Sequence, residues 1–362
     1  MGFRYKKSSE STWTDVTYTG GITTSAGTFT VTLDNLAPYT VYDVEAHMQV
    51  HNGTEYVYKS CSGQFRTKAS QNAIPSGWLE LPAITNSEDL VLTMYKSGGT
   101  SGSDSDRNYS VNYSKTYYSA LWTAYTLTES DITGGKTGNQ SWTYNNSIFN
   151  GNYQVGVTSS KGSYPSNYSN ASLYSRGHQI PNADRTSSST ANDQTYYVSN
   201  QTPQIQNKFN GSIWGALETA ARGFLVTSSN NSNYNGSFTK TDVLYIITGP
   251  SYGKAGTSET PSYLQASSNI SPSSVPIPKY YWKVLLKVKW QDNGSAIADA
   301  CAIGFWFEHK EYTNNENYYD SSFVKSVNEI ESFTGFNLFA NLPDELEEAV
   351  ESNSSWETFK AF

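Results

Sequence analysis

Eleven consecutive residues, Tyr280–Trp290 (YYWKVLLKVKW), constrain the fold more than any other stretch of the chain. Trp282, Val284, Leu286, Val288 and Trp290 recur at every second position, and Lys283, Lys287 and Lys289 fall between them. A period of two puts the two sets on opposite sides of an extended strand, whereas a helix would scatter both around its axis. Short apolar runs set between polar loops make strand candidates of LVLTMY (90–95), ALWTAYTLT (120–128), DVLYIITG (242–249) and AIGFWF (302–307) as well. The lysine side of Tyr280–Trp290 reads as a solvated sheet face; a basic stripe against nucleic acid is the competing explanation.

Helical spacing appears in fewer places. Phe209, Ile213, Trp214, Leu217 and Ala221 predict one helix from about Asn207 to Arg222. SVNEIESFTG starts a second after Ser326 and stops at Gly335, and LPDELEEAV makes a short acidic helix near the end. Residues 99–118 and 158–175, rich in Ser, Gly, Asn and Tyr, read as long surface loops. The expected class is α+β, with a central antiparallel sheet and helices on its faces. A length of 362 residues favours two domains.

The division falls near residue 70. Residues 1–70 show short alternating segments at Phe29–Leu33, Tyr42–Val50 and Glu55–Tyr58, with GFRYK as a further strand. ASQNAIPSGW (69–78) reads as a linker, giving domains at 1–70 and 79–362 joined by 71–78. The run LDNLAPYTVYDVEAHMQV followed by CSGQFRTK resembles the last strands of a fibronectin type III domain, with its Leu-x-Pro-x-Thr-x-Tyr corner. That resemblance implies a partial, sandwich-like all-β module that serves as a spacer or binds a surface or polymer ligand.

Composition narrows the setting. Only 15% of residues are charged, while 28 Tyr and 9 Trp supply amphipathic area suited to sheets, a mixture expected of an extracellular β-rich protein. No run of 18 apolar residues exists to span a membrane. Met1 leads straight into GFRYKK, so an upstream segment is expected to have been removed. Cys61 and Cys301 fall in different domains and read as buried free thiols. The net charge is −8, yet residues 1–70 balance six bases against six acids and Pro343–Phe362 carries −5, which leaves about −3 for residues 71–342. Affinity for a polyanion depends on the local field at a groove, so this acidity does not exclude one.

Four histidines are candidates for chemistry. His47 and His51 lie in a strand pattern, roughly 13 Å apart, too far to share an ion. His309 follows FWFE without a clustered partner and reads as structural. His178 sits in SRGHQIPNADR, and some twenty residues later comes SNQTPQIQNKFNGSIWGALETAAR. GGKT at 134–137 lacks the first glycine of a phosphate loop, because Ser130 occupies its place.

These two segments resemble the DNA/RNA non-specific endonucleases, the ββα-metal (His-Me finger) nucleases that include sugar-non-specific secreted enzymes. The likeness rests on Arg176-Gly177-His178, Asn200-Gln201-Thr202-Pro203-Gln204, Asn210, Trp214 and Leu217-Glu218. LWTAYTLT, LYIITGPSY, IPKYYWKV and VNEIESFTGFNLFANLP extend it over about residues 79–345. It implies a magnesium-dependent endonuclease (manganese or another divalent ion substituting) that cuts DNA and RNA to 5′-phosphate products. In it His178 is the general base, Asn210 the metal ligand, Arg176 a phosphate clamp and Glu218 a carboxylate behind the metal. Asn200 and Gln204 order the loop. Where the family often has Asp before Arg-Gly-His, this chain has Ser175, which is expected to change orientation without removing the base. On a continuous helix, eight residues from Asn210 to Glu218 are roughly 12 Å of rise, too far for both to bind one ion. Trp214 reads as a core anchor. The competing function is an extracellular binding or adhesion protein on an impaired nuclease scaffold.

Overall fold

The alternating segments do pair as strands, in a computed structural model that describes residues 2–17, 30–51, 56–84, 90–135, 137–157, 164–225, 243–267, 269–313 and 315–362. Contacts divide the chain into two units, residues 1–74 with 289–299, and residues 75–288 with 300–362. The first is built on β1 (Gly2–Lys7), β2 (Thr14–Thr17), β3 (Val41–His51) and β4 (Tyr56–Arg66), one antiparallel sheet in the order β2-β1-β3-β4. Tyr42 anchors it: the ring is buried and stacks on Phe65 at 5.7 Å, and the hydroxyl accepts the Ala37 amide at 2.9 Å. Of the expected strand Phe29–Leu33, Phe29 lies outside the described residues and Thr30–Leu33 are not in a strand. Glu55 also lies outside them, while Tyr56–Tyr58 open β4. Cys61 is exposed rather than buried; only Cys301 is an interior thiol.

The second unit contains β5 (Leu90–Tyr95), β6 (Arg107–Ser114), β7 (Ser119–Leu127), β8 (Tyr174–His178), β9 (Gln201–Ile205), β10 (Leu244–Ser251), β11 (Ser262–Gln265), β12 (Ser274–Ile277), most of β13 (Tyr280–Trp290), most of β14 (Ile297–Glu308) and β15 (Val324–Lys325). Seven of these form the central sheet, in the order β15-β14-β13-β10-β7-β6-β5. β8 with β9, and β11 with β12, make two separate ribbons. The helices are α1 (Glu129–Ile132), α2 (Ser189–Thr195), α3 (Gly215–Gly223), α4 (Val327–Thr334), α5 (Asp344–Glu351) and α6 (Trp356–Ala361). No helix among the described residues is long and apolar enough to cross a membrane.

Both faces of the central sheet are covered over most of β13, which corrects the solvated reading for Lys283 and Lys287; Lys289, at the end of the strand, is exposed as expected. On one face Tyr281, Leu285, Ile303, Phe305 and Phe307 pack with Trp214, Leu217 and Phe224, and with Trp356 and Phe359 from α6. Lys283 and Lys287 point into this layer and are 1% and 0% exposed. Lys287 Nζ donates to the Phe359 carbonyl at 2.9 Å and lies 4.0 Å above the Phe224 ring, its stem packed like a hydrophobe. The alternation was right about which residues share a side; what hid the cover was α6, six residues with too little periodicity to see. On the other face Trp306 packs on Phe333 at 4.9 Å, and α4 presses so closely that a Cβ on Gly304 would sit 2.7 Å from Ile330 Cγ1. α4 begins where expected, in a capping box: Ser326 Oγ accepts the Glu329 amide and Glu329 accepts that of Ser326.

Two supposed loops are ordered. Residues 107–114 form β6, buried from Asn108 to Ser114. Tyr164, Tyr168 and Ala171 pack with Leu264 and Val275 as a small second core; residues 158–163 of that stretch lie outside the described residues.

Candidate active site

β8 and β9 pair with Tyr174 opposite Ile205, Ser175 opposite Gln204, Gly177 opposite Thr202 and His178 opposite Gln201. Glycine is required at 177, because a Cβ there would collide with the side chain of fully buried Gln204. Just past His178 the chain is clamped. Asn200 Oδ1 accepts the Ile180 amide at 3.0 Å, and its Nδ2 donates to the carbonyls of Ile180 at 3.0 Å and Thr195 at 2.8 Å. Gln179 Nε2 donates to Ala120 O at 2.9 Å and so ties the ribbon to β7. Both donor hydrogens of Asn200 are therefore spent on main-chain carbonyls, and the residue braces the ribbon.

His178 sits between two rings, Trp142 at 4.8 Å and Tyr196 at 4.8 Å edge-on. Burial pushes the imidazole down to about 4, so it is neutral at pH 7. Its Nε2 is buried with no hydrogen-bond partner among the described residues. Arg176, two residues back and so on the same side of β8, lies 5.7 Å from the Trp142 ring and is 3% exposed. Burial draws its guanidinium below the ordinary value, with the phenols of Tyr164 and Tyr144 nearby. The carboxamides of Gln201 and Gln204 are likewise buried without partners among the described residues. Several orphaned polar groups along one short ribbon are unusual in a folded chain and mark a place that a further species completes.

Asn210 joins the ribbon through Ser175. Ser175 Oγ lies 3.2 Å from the Gln204 carbonyl, which can only accept, so the hydroxyl proton is committed there. The same Oγ must then accept from Asn210 at 2.7 Å, and the group facing it is the amide Nδ2. That fixes the flip of the carboxamide and turns Oδ1 away from Ser175. Asn210 and His178 share no hydrogen bond; β8 joins them, and three residues of strand are roughly 10 Å.

The helix expected from Asn207 to Arg222 is broken, and this overturns the rise calculation made on it. Gln206–Trp214 is an irregular segment in which Asn207 is extended, Lys208 is left-handed (φ 62°) and Ser212 is non-helical (φ −135°, ψ −108°). Regular helix begins only at Gly215. Apolar spacing survived because Phe209, Ile213 and Trp214 are all core residues; Trp214 is 1% exposed, packed on Phe209 at 5.9 Å and Tyr281 at 5.6 Å.

Glu218, on α3, faces a charged cluster of its own. Burial raises its carboxyl to about 7, against the pull of Lys283 and Arg222 and with the push of Asp184. Arg222 Nη1 donates to Asp184 Oδ1 at 2.7 Å, and Tyr125 donates to Asp184 Oδ2 at 2.9 Å. Lys283 Nζ, 4.9 Å above the Trp214 ring, has its basicity lowered by burial. Arg222 stands one helical turn past Glu218 and was findable by spacing. Trp142 and Tyr196 come from remote elements and left no local signal, while Lys283 was visible only as one of the lysines on a side of Tyr280–Trp290.

The sequence profile of the DNA/RNA non-specific endonuclease family matches residues 87–345, which takes in the ribbon, residues 206–214 and α3. The nuclease of Serratia marcescens is 28% identical over 259 residues, 70% of this chain and 82% of that protein. The nuclease of Nostoc sp. is 27% identical over 251 residues, 67% and 75% respectively. Mitochondrial nuclease 1 of Schizosaccharomyces pombe is 28% identical over 170 residues, and the chain spans about half the length of this relative and of the Saccharomyces cerevisiae mitochondrial nuclease. With more than half its length under that one profile, the chain belongs to the DNA/RNA non-specific endonuclease family.

Proposed function

We propose that the protein is an endonuclease that hydrolyses phosphodiester bonds of DNA and RNA with little sequence preference and leaves 5′-phosphates. The observation that carries this is the state of His178: a neutral imidazole whose Nε2 has no partner among the described residues, on the same side of a strand as a buried arginine. In the Nδ1–H tautomer that partnerless nitrogen can take the proton of an attacking water, and Arg176 can grip a phosphate oxygen through its planar fork. Recognition of phosphate rather than base edges leaves sequence unread.

A divalent cation suits the donor set. Asn210 Oδ1, turned away from Ser175 by the bond Nδ2 makes there, is one neutral oxygen donor. Among the described residues no three His, Cys, Asp or Glu side chains cluster as a rival site. Magnesium is the ion for such a place, since it binds oxygen and keeps most of its waters; manganese substitutes. When bound it supplies charge neutralisation at the phosphoryl and leaving oxygens. The engagement of Glu218 by Lys283, Asp184 and Arg222 supports a place behind the cation, holding an ordered water.

The sheet of residues 1–74 is proposed as a fibronectin type III-like module for a surface or polymer ligand, supported by the Tyr42 hydroxyl bonded across the LAPYTVY corner. The polar, weakly charged composition supports an extracellular setting.

The test is incubation of plasmid and total RNA with pure protein, with magnesium or with chelator, followed by end-labelling of the products. Loss of both polymers with magnesium alone, with 5′-phosphate ends, is the expected result. Intact polymers under every condition defeat the reading.

A further inference from the structure

The end of the ribbon opposite His178 is held by the last histidine of the chain. His309 follows β14, and its two ring nitrogens have opposite duties. Nε2 lies 2.8 Å from the Ile205 amide nitrogen, which can only donate, so Nε2 is bare. Nδ1 lies 2.8 Å from the Pro278 carbonyl, which can only accept, so Nδ1 carries the proton. Neighbours thus dictate one neutral tautomer. The ring is packed by Tyr281 at 5.0 Å, Phe209 at 5.1 Å and Tyr174 at 6.0 Å.

These contacts meet at one junction. Ile205 is the last residue of β9 and pairs with Tyr174, the first of β8. Beyond Ile205 the chain leaves the ribbon for the irregular segment that bears Phe209 and then Asn210. We infer that His309 is a positioning residue: as a neutral imidazole it fixes where the ribbon hands over to the segment carrying Asn210, and a second proton on the ring undoes that junction. The geometry stands by itself, while the kinetic consequence rests on the nuclease reading.

The second proton is destructive for a simple reason. It would place Nε2–H against the Ile205 N–H, two donors at 2.8 Å with no acceptor between them. Among the described residues the nearby acids are engaged elsewhere and do not offset the charge. Glu308 pairs with Lys310 at 3.1 Å and Glu311 with Lys208 at 3.3 Å, all four at the surface. Lys279 acts electrostatically on Glu259. Tyr174 and Tyr281 are phenols that burial keeps neutral. Burial accordingly pushes the imidazole down to about 4.

Two variants and one spectroscopic measurement on the whole chain test this. His309→Gln retains an acceptor for Ile205, and His309→Phe retains a ring but no acceptor. His309→Phe is expected to lose about tenfold in kcat on plasmid at pH 7 with KM little changed, the scale of one buried donor left unsatisfied. His309→Gln restores kcat to within about threefold, and its acid limb is less steep than that of the unaltered protein by one proton. In the unaltered protein, ¹⁵N spectra of the ring show the Nδ1–H tautomer at pH 7. On acidification the Ile205 amide loses exchange protection in step with ring protonation, while amides of β10 and β13 keep theirs. Unaltered kcat and pH profile in His309→Phe, or an Ile205 amide indifferent to ring titration, overturns the inference. Should His309→Phe fail to fold, His309→Gln and the spectra still decide. A protein inert toward nucleic acid removes the proposed function and leaves the spectroscopic test standing.

Discussion

The two ends of the β8–β9 ribbon carry the same residue type under the same pressure, and they differ in what their nitrogens are given to do. Burial pushes His178 and His309 alike down to about 4. At the Ile205 end both ring nitrogens are hydrogen-bonded at 2.8 Å. At the Gln201 end, His178 Nε2 and the whole Gln201 carboxamide lack partners among the described residues. A buried polar group without a partner costs about 1–3 kcal/mol, so an end that leaves several open is one that another species is meant to complete. One imidazole closes the fold and the other is held ready for chemistry, and burial alone does not tell them apart.

The largest effect that sharpens this contrast is His178→Ala. Loss of a general base costs on the order of 10²–10⁴ in kcat, and because Nε2 bonds nothing among the described residues, the accompanying loss of stability should be only that of the ring's packing on Trp142 and Tyr196. A variant that melts much lower and still cleaves plasmid would make the two ends alike, both structural. Next comes the anchoring of Asn210. Asn210→Ala should abolish specific manganese binding, read by paramagnetic resonance. Ser175→Ala, which removes one hydrogen bond of about 1 kcal/mol, should weaken that binding about fivefold. Equal manganese affinity in all three proteins would show that Asn210 Oδ1 is not the donor.

Acid stability joins the two ends. In an unfolded chain both imidazoles bind a proton near ~6.5, whereas folded they resist until about 4. Acid therefore favours the unfolded state: stability is complete above ~6.5 and drains away as pH falls toward 4. Thermal melts between pH 7 and 4 should show the decline, and His309→Gln should flatten part of it. A flat profile in the unaltered protein would mean that neither ring is desolvated as described.

The strand signal was legible wherever apolar residues dominate a short segment, which is why β5, β7, β10, β13 and β14 were visible although β10, β13 and β14 are buried on both faces. It failed at β6 (RNYSVNYS), where both faces are buried and the polar half is satisfied internally: Asn108 Nδ2 donates to Gln194 Oε1 at 2.6 Å, and Ser110 bonds Thr93 at 2.7 Å. The residues of the ribbon were legible as a motif, but their division of labour was not. Asn200 reads the same in sequence whether it meets a phosphate or the Ile180 backbone. Residues 206–214 keep helical spacing of apolar side chains although a left-handed Lys208 breaks the helix, because core packing selects side-chain identity and leaves φ and ψ unspecified.

Lys283 gives the smallest and most discriminating prediction, since it belongs to neither end of the ribbon but sets the charge of the carboxylate behind it. Its cation opposes the burial that raises Glu218 to about 7. If Glu218 works as an anion, activity should climb with pH through that region. Lys283→Met keeps the stem packed over Trp214 and deletes the charge, so Glu218 would hold its proton to higher pH. The rising limb of the pH–rate profile should then shift upward, with kcat on its plateau nearly unaltered. Glu218→Gln, which cannot ionise, should lack that limb in either background. A limb that stays in Glu218→Gln, or that Lys283→Met leaves in place, would assign the titration to another group and return Glu218 to a purely structural pairing with Arg222 and Lys283.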